Sequence, residues 1–234
     1  MKTRSLSTQP SQGGGPPRFA VAVDVVLLAI RDDRLSLLLI RRASEPFRGC
    51  WALPGGFVLE RESLDAAAAR ELAEEAGVTR VHLEPFGVYG DPDRDPRGRV
   101  ISVGYVALVR ADELVLQAAT DADAAAWFPL DEPPALAFDH PRIVADARAH
   151  LRDALDREPV GAELLPESFS LAALQRVHEA VVGHAIDKRN FRRKVLAEGL
   201  VEAIEGELAG GAHRPAQLYR YAGRRGEAKR EVGR

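Results

Sequence analysis

The first strongly patterned stretch runs from Phe19 to Ile30 (FAVAVDVVLLAI) and, after Arg31-Asp32-Asp33-Arg34, resumes from Leu35 to Ile40 (LSLLLI). β-Branched and aliphatic residues on either side of a polar tetrapeptide predict strand, tight turn and strand, a hairpin that opens the domain. From Ser63 the period changes. Ser63 is placed as an N-cap, Asp65 falls in the first turn and Gly77 is placed to end the helix. The alanine-rich segment between them has no proline and no β-branched residue, and Leu64, Ala68 and Leu72 recur at helical spacing as its apolar stripe. Val81 to Tyr89 and Arg99 to Arg110 read as strands flanking an irregular loop, GDPDRDPRG, from Gly90 to Gly98. Trp127 to Leu130 is a last short strand, and Pro141 opens a helix running through Ile143, Val144, Ala147 and Leu151 to about Leu155.

The pattern breaks at Arg157 to Glu167 (REPVGAELLPE), where two prolines mark a boundary. Ser170 then caps a helix whose apolar positions are Leu171, Leu174 and Val177 and which ends at Gly183. Asp187 caps a second, KRNFRRKVL, closed by Gly199. Its inner face is Phe191, Val195 and Leu196; its outer face is Lys188, Arg189, Arg192 and Arg193. Leu200 to Ile204 and Gln217 to Tyr221 read as two strands joined by a loop holding Gly210, Gly211, His213, Arg214 and Pro215. Two helices on a short turn, the second basic outside, followed by a hairpin with the cationic Arg214 at its tip, predict a winged helix-turn-helix whose second helix enters the major groove. The competing expectation is a helical appendage that dimerises, with the basic face merely solvated.

Composition adds compartment and charge. Of 234 residues 46% are apolar but only 6% aromatic, so Leu, Val and Ala must fill the core. The net charge of −3 conceals an asymmetry, because from His184 onward twelve Lys/Arg face seven Asp/Glu. A basic end on an acidic body points to an anionic partner. The single cysteine, Cys50, excludes an intramolecular disulfide framework, fits a reducing cytosol and is expected as a buried or half-buried spectator. Met1 to Pro17 lacks the apolar core of a signal peptide and is expected to be a disordered tail, and no apolar run reaches membrane-spanning length. A soluble, cytoplasmic protein without a membrane partner is expected.

The candidate chemistry lies on the first helix. Glu71, Glu74 and Glu75 are three and four apart, so their carboxylates project from one side within a turn. Acids that close repel one another. Arg70, four residues before Glu74, offsets part of this; a hard divalent cation would offset more, with Mg²⁺ the first candidate and Mn²⁺ the second. A solvated acidic face is the bland alternative. Ahead of the helix, Pro54, Gly55 and Gly56 follow Trp51-Ala52-Leu53, and glycines there permit close backbone approach to a ligand.

Gly56 to Val78, GFVLERESLDAAAARELAEEAGV, resembles the Nudix box: Gly56, Glu62, Arg70, Glu71, Leu72, Glu74, Glu75, Gly77 and Val78 each occupy a position of that pattern. The resemblance implies a Nudix fold, a mixed sheet between helices, and hydrolysis of a nucleoside diphosphate linked to another group. By that resemblance Glu71, Glu74 and Glu75 ligate metal while Arg70 and Glu62 orient them. RDPRGRVISVGY is similar to a stretch of bacterial ADP-ribose pyrophosphatases in the same family, which makes Arg94 and Arg97 candidates for substrate contact. The alternative there is a loop in which Asp95 pairs with both. Arg41 or Arg42 at the strand end would meet a phosphate, Arg42 being the candidate taken, beside Gly55 and Gly56; a surface pair is the other reading. His140 is expected as a capping or structural histidine, with a catalytic role as the alternative.

A Nudix domain followed by DKRNFRRKVL and QLYRY resembles the Nudix-related regulators of NAD metabolism, the NrtR family. The fold class expected is therefore α/β (α+β), a Nudix α/β/α sandwich followed by a winged helix-turn-helix. The boundaries expected are a tail over 1–17, a Nudix domain over 18–156, a linker over 157–167, a winged helix over 168–222 and a basic tail over 223–234. The resemblance implies a dimeric repressor that senses ADP-ribose or a related nucleotide and binds operator DNA. The complete acid set adds hydrolysis of ADP-ribose to AMP and ribose 5-phosphate. A free-standing pyrophosphohydrolase and a non-hydrolysing sensor of a sugar or nucleotide are the alternatives.

Overall fold

β1 (Ala20–Arg31) is the spine of the structure, a computed structural model that describes residues 17–31, 34–79, 81–110, 125–155, 164–209 and 216–222. Its run Ala22–Ala29 is buried on both faces, which is why it reads as nearly continuous aliphatic sequence. It lies parallel to the whole of β6 (Val100–Val109), from Ala20 opposite Val100 to Ala29 opposite Val109. The other side is shared: β2 (Arg34–Arg41) completes the expected hairpin, and β4 (Gly55–Phe57) pairs antiparallel with Ala22–Asp24. β3 (Trp51–Ala52) and β7 (Ala125–Pro129) extend β2, and β5 (Glu84–Tyr89) extends β6, making a mixed seven-stranded sheet.

The alternation of β1 divides its side chains between two layers. Val23, Val25, Leu27 and Ala29 pack toward α1 (Leu64–Ala76), with Ala67, Ala68 and Leu72. Val26 and Leu28 pack toward α2 (His140–Leu155), with Ile143, Ala147 and Leu151. α1 has the caps the sequence calls for: Ser63 Oγ accepts from the Ala66 N–H, and Gly77, at φ 70°, donates to the Ala73 carbonyl. Its buried face is rotated from the expected stripe. Leu64 is 38% exposed, and Ala67 and Ala76 are buried instead, because small side chains let the helix sit close to the sheet.

The C-terminal part holds α3 (Leu171–Val182), α4 (Lys188–Ala197) and a three-stranded antiparallel sheet. Its middle strand β10 (Ala216–Tyr221) lies between β9 (Val201–Ala209) and β8 (Phe169–Ser170). β8 was not expected; two residues carry no period, and the strand exists only because β10 offers an edge. Ser170 and Asp187 cap α3 and α4 as expected. Glu179 fixes the turn by accepting from Gln175 and from the Ile186 N–H, and His178 meets Phe191 edge-on at 4.9 Å. Phe191 and Val195 point inward, whereas Leu196, expected beside them, is 48% exposed.

One apolar cluster runs from α2 through Leu164, Leu165, Leu174 and Val177 to Phe191 and Tyr221, so the two parts share a core. Arg152 of α2 donates to the Val182 carbonyl at 2.9 Å, closing the C-terminal end of α3. Of the stretch expected as a linker, Leu164 and Leu165 are buried in this core; 157–163, 1–16 of the N-terminal tail and the basic tail over 223–234 lie outside the described residues. Among the described residues no helix is long and apolar enough to cross a membrane.

Candidate functional site

On the polar flank of α1 Arg70 is the hub. Nε and Nη2 grip both oxygens of Glu62 at 2.8 and 2.9 Å, Nη1 reaches Glu71 at 2.7 Å and Glu74 at 3.3 Å, and Nη2 also donates to the Phe57 carbonyl. Arg70 and the Leu59 N–H hold the Glu62 carboxyl down at about 2. Glu62 thus ties the segment before α1 to the acid face, although it is far from the triad in sequence.

Glu75 points away from the hub. Its Oε2 accepts the Gly55 N–H at 2.8 Å. Burial, with Glu71 and Asp24 adding negative potential, pushes its carboxyl up to about 7 in spite of that hydrogen bond and of Arg42. The geometry explains Gly56 too. A Cβ on it would stand 2.2 Å from Glu71 Oε1, so only glycine lets that carboxylate lie against β4. A carboxylate driven toward protonation beside two more is a donor set that fits a hard divalent cation. In this conformation no three such groups close round a single point among the described residues, since Arg70 holds Glu71 and Glu74 while Gly55 holds Glu75.

Beneath the glycines lies a buried polar network. Asp24, the one acid in the β1 run, accepts from the Ser102 hydroxyl at 2.6 Å, from Arg94 at 3.1 Å and from His140 Nε2 at 3.2 Å. The Leu53 N–H donates to His140 Nδ1 at 2.9 Å, so the ring proton sits on Nε2 and His140 is structural. Arg94 has a side chain that is 4% exposed and grips Asp139 with two bonds (2.7 and 3.0 Å) as well as Asp24, and it lines the floor of the cleft that opens above it. Asp95 pairs with Arg97 at 2.7 Å and leaves Arg94 to its other acids. A lone carboxylate inside an apolar strand was the available signal for Asp24.

For Asp24 burial alone would raise the pKa, but His140, Ser102 and Arg94 outweigh it and bring it from 3.8 down to about 2. A depressed carboxylate stabilises the fold above its unfolded pKa and loses that contribution as pH falls through the folded one. Asp24 should thus contribute about 2 kcal/mol at neutral pH, lost between pH 3.8 and about 2. Urea denaturation from pH 7 down through this range should show Asp24→Asn destabilised by about 3 kcal/mol at pH 7, since Arg94 loses a buried partner, with a flatter acid limb than the parent. Equal acid limbs would remove Asp24 from the network.

Above the network a cleft of about 40 Å³ opens between Gly55-Gly56 and the pair Arg42 and Arg97. Arg42 lies 4.8 Å from the centre of the Phe138 ring, and Arg97 lies 4.8 Å from Phe57 and 5.6 Å from Phe138. Phe57 and Phe138 carry no motif and were missed. Cys50, at the same edge of the sheet, is exposed against expectation.

The second candidate surface is α4. Lys188, Arg189 and Arg193 are exposed, with Arg193 bonded to Asn190 at 3.0 Å. Arg192, expected with them, is only half-exposed, and its Nε is enclosed with no hydrogen-bond partner among the described residues. Arg214, expected at the wing tip, lies outside the described residues.

Both parts of the chain are similar to known proteins. Residues 18–147 match the model of the NUDIX domain, and residues 161–221 that of the NrtR DNA-binding winged helix domain. An ADPR responsive transcriptional repressor of Acinetobacter baylyi is 35% identical over 88% of this chain and 83% of its own. An ADP-ribose pyrophosphatase of Methanocaldococcus jannaschii is 46% identical over 54% of this chain and 72% of its own. Shewanella oneidensis NrtR in complex with a 27mer DNA superposes with a TM-score of 0.74 at 36% identity, covering 86% of this chain and 93% of that one. The NUDIX domain of the same Shewanella protein, in a cocrystal with ADP ribose, covers 58% of this chain at a TM-score of 0.50 and 36% identity, and 90% of its own length.

Proposed function

Since the chain belongs to the NrtR family of Nudix regulators, with a Nudix domain followed by a DNA-binding winged helix, we propose that it is an ADP-ribose-responsive repressor that also hydrolyses its effector. One observation carries this reading: Arg70 gathers Glu62, Glu71 and Glu74 on the flank of α1, with Glu75 one residue on against Gly55, in a chain that also presents exposed Lys188, Arg189 and Arg193. A sensor alone would have no use for the full acid set, and a pyrophosphohydrolase alone none for the basic helix. The protein acts as a homodimer in the cytoplasm, its Nudix part over 18–156 and its winged helix over 168–222. Two copies would place two α4 helices on successive half-sites of operator DNA.

In the catalytic half Glu71, Glu74 and Glu75 would hold Mg²⁺, with Mn²⁺ a substitute; Arg70, itself gripped by Glu62, orients Glu71 and Glu74, and the Gly55 N–H orients Glu75. When bound, the cation supplies charge neutralisation at the diphosphate and a water made acidic enough to attack at neutral pH. Arg42 and Arg97 orient the phosphates bidentately, and the glycines let the bridge approach β4. Attack of water at phosphorus breaks the P–O–P bridge and gives AMP and ribose 5-phosphate, a glutamate of α1 accepting the proton.

Two assays test the reading. Phosphatase-coupled phosphate release from ADP-ribose with Mg²⁺ reports turnover, and mobility shift on DNA upstream of neighbouring genes, with and without ADP-ribose, reports regulation. Turnover without any DNA binding would leave only a hydrolase; DNA binding without turnover would leave only a sensor. Gly56→Ala should lower turnover about 10–100-fold, because the new Cβ displaces the Glu71 carboxylate. Steady-state kinetics beside a melting curve would check that the loss is local.

A further inference from the structure

We propose that Phe138 is a positioning residue for a diphosphate ligand: its ring holds Arg42 and Arg97 side by side so that both guanidinium groups converge on the two phosphates. The inference rests on the nucleotide reading above and deepens it.

Backbone conformation singles the residue out. Among the described residues the non-glycine positions with positive φ are Phe47 at 65° and Phe138 at 54°. The left-handed region is costly for bulky aromatic residues and persists only where the surroundings enforce it. These two touch each other, ring centroids 4.7 Å apart and planes at 66°, and Phe138 lines the cleft. Phe138 carries the cations. Arg42 lies 4.8 Å from its centroid and Arg97 5.6 Å, and Phe57 lies against the same Arg97 at 4.8 Å. Ring and cation alternate from Phe57 through Arg97 and Phe138 to Arg42, joining β4, the loop before β6, the loop before α2 and the end of β2.

Such an arrangement has a cost that a ligand would relieve. Among the described residues Arg42 donates to neutral carbonyls, Pro46 at 2.8 Å and Ser44 at 3.4 Å, whereas Arg97 has Asp95. Both cations face a cleft floored by Gly55 and Gly56, with Asp95 bonded to Arg97 and Glu75 near Arg42 as the acids beside them. Burial, then Arg97, lowers the Arg42 pKa, so the pair is crowded as it stands. The negative face of an aromatic ring attracts each cation and fixes its plane without neutralising its charge. The charge stays available to phosphate oxygens, which planar guanidinium groups match in pairs. Two fixed cations suit two linked phosphates; a monophosphate engages one.

The test uses the full chain with Mg²⁺ and three probes: α,β-methylene ADP-ribose, whose bridge resists hydrolysis, inorganic pyrophosphate and AMP. Replacing Phe138 by Leu should raise Kd for the first two about tenfold and leave AMP within about twofold, while Phe138→Tyr, which keeps the ring face, stays near the parent for all three. In turnover of ADP-ribose the Leu variant should raise KM with kcat largely retained. If F138L does not fold at 25 °C, Phe138→Gly, which accommodates the positive φ, is titrated with the same expectations. Unchanged Kd values overturn the proposal. So does a loss for AMP and the methylene analogue that spares pyrophosphate, which would make Phe138 a base-stacking residue. If the parent binds none of the three, the nucleotide reading falls and the proposal with it; if the parent binds and the variant is indifferent, the proposal alone falls.

Discussion

Glu74→Gln is expected to abolish ADP-ribose hydrolysis, lowering kcat by roughly 10²–10⁴-fold, while the protein stays folded and still binds DNA. The choice of residue follows from the geometry. Glu74 has a side chain that is 60% exposed, and Arg70 at 3.3 Å is its hydrogen-bond partner, so the structural contribution at stake is that of a surface ion pair, about 1 kcal/mol or less. Glu71, by contrast, lies against Gly56 and accepts from Arg70 at 2.7 Å, so changing it would disturb β4 and the hub together. Coupled phosphate release gives the rate and circular dichroism the fold. Full turnover in E74Q would remove Glu74 from the catalytic set. A dead enzyme that still represses would separate sensing from chemistry, which no variant of Arg70 would do as cleanly.

The double variant Lys188→Ala and Arg189→Ala is expected to weaken DNA binding and to reduce the slope of log K against log salt by about 2, one phosphate contact for each side chain. Both residues are exposed in the first turn of α4, which Asp187 caps by accepting from the Asn190 N–H. Arg192→Ala should behave otherwise. Its side chain is only half-exposed, so the lost packing of its stem should lower thermal stability as well as affinity. Fluorescence anisotropy on operator DNA at several salt concentrations, beside melting curves, measures both. An unchanged salt slope in the double variant would rule out α4 as the phosphate-contacting helix.

Much of the fold is local and was legible. Ser63, Gly77, Ser170, Gly183 and Asp187 mark their helix ends because a cap is decided by groups within three or four residues. The hairpin of β1 and β2 follows from two aliphatic runs on either side of a short polar turn. The acid face of α1 follows from helical spacing alone, and Glu62 enters by a motif of fixed length. These are properties of a chain segment and its own period.

What the tertiary structure decided is what each polar side chain does. Arg94 and Arg97 look alike in RDPRG, yet one is buried between Asp24 and Asp139 and the other sits half-exposed against Phe57. Asp24 and Arg94 are 70 residues apart and meet only because the parallel register of β1 with β6 brings the start of both strands, and the loop that leads into β6, to one end of the sheet. The same end gathers Arg42, Phe57 and Phe138 from three other segments. By itself the sequence determined the elements, their caps and the acid helix, because those obey short-range geometry. Which cations face the cleft and which brace its floor was decided only by strand register, because burial and partnership belong to neighbours in space that no local period encodes.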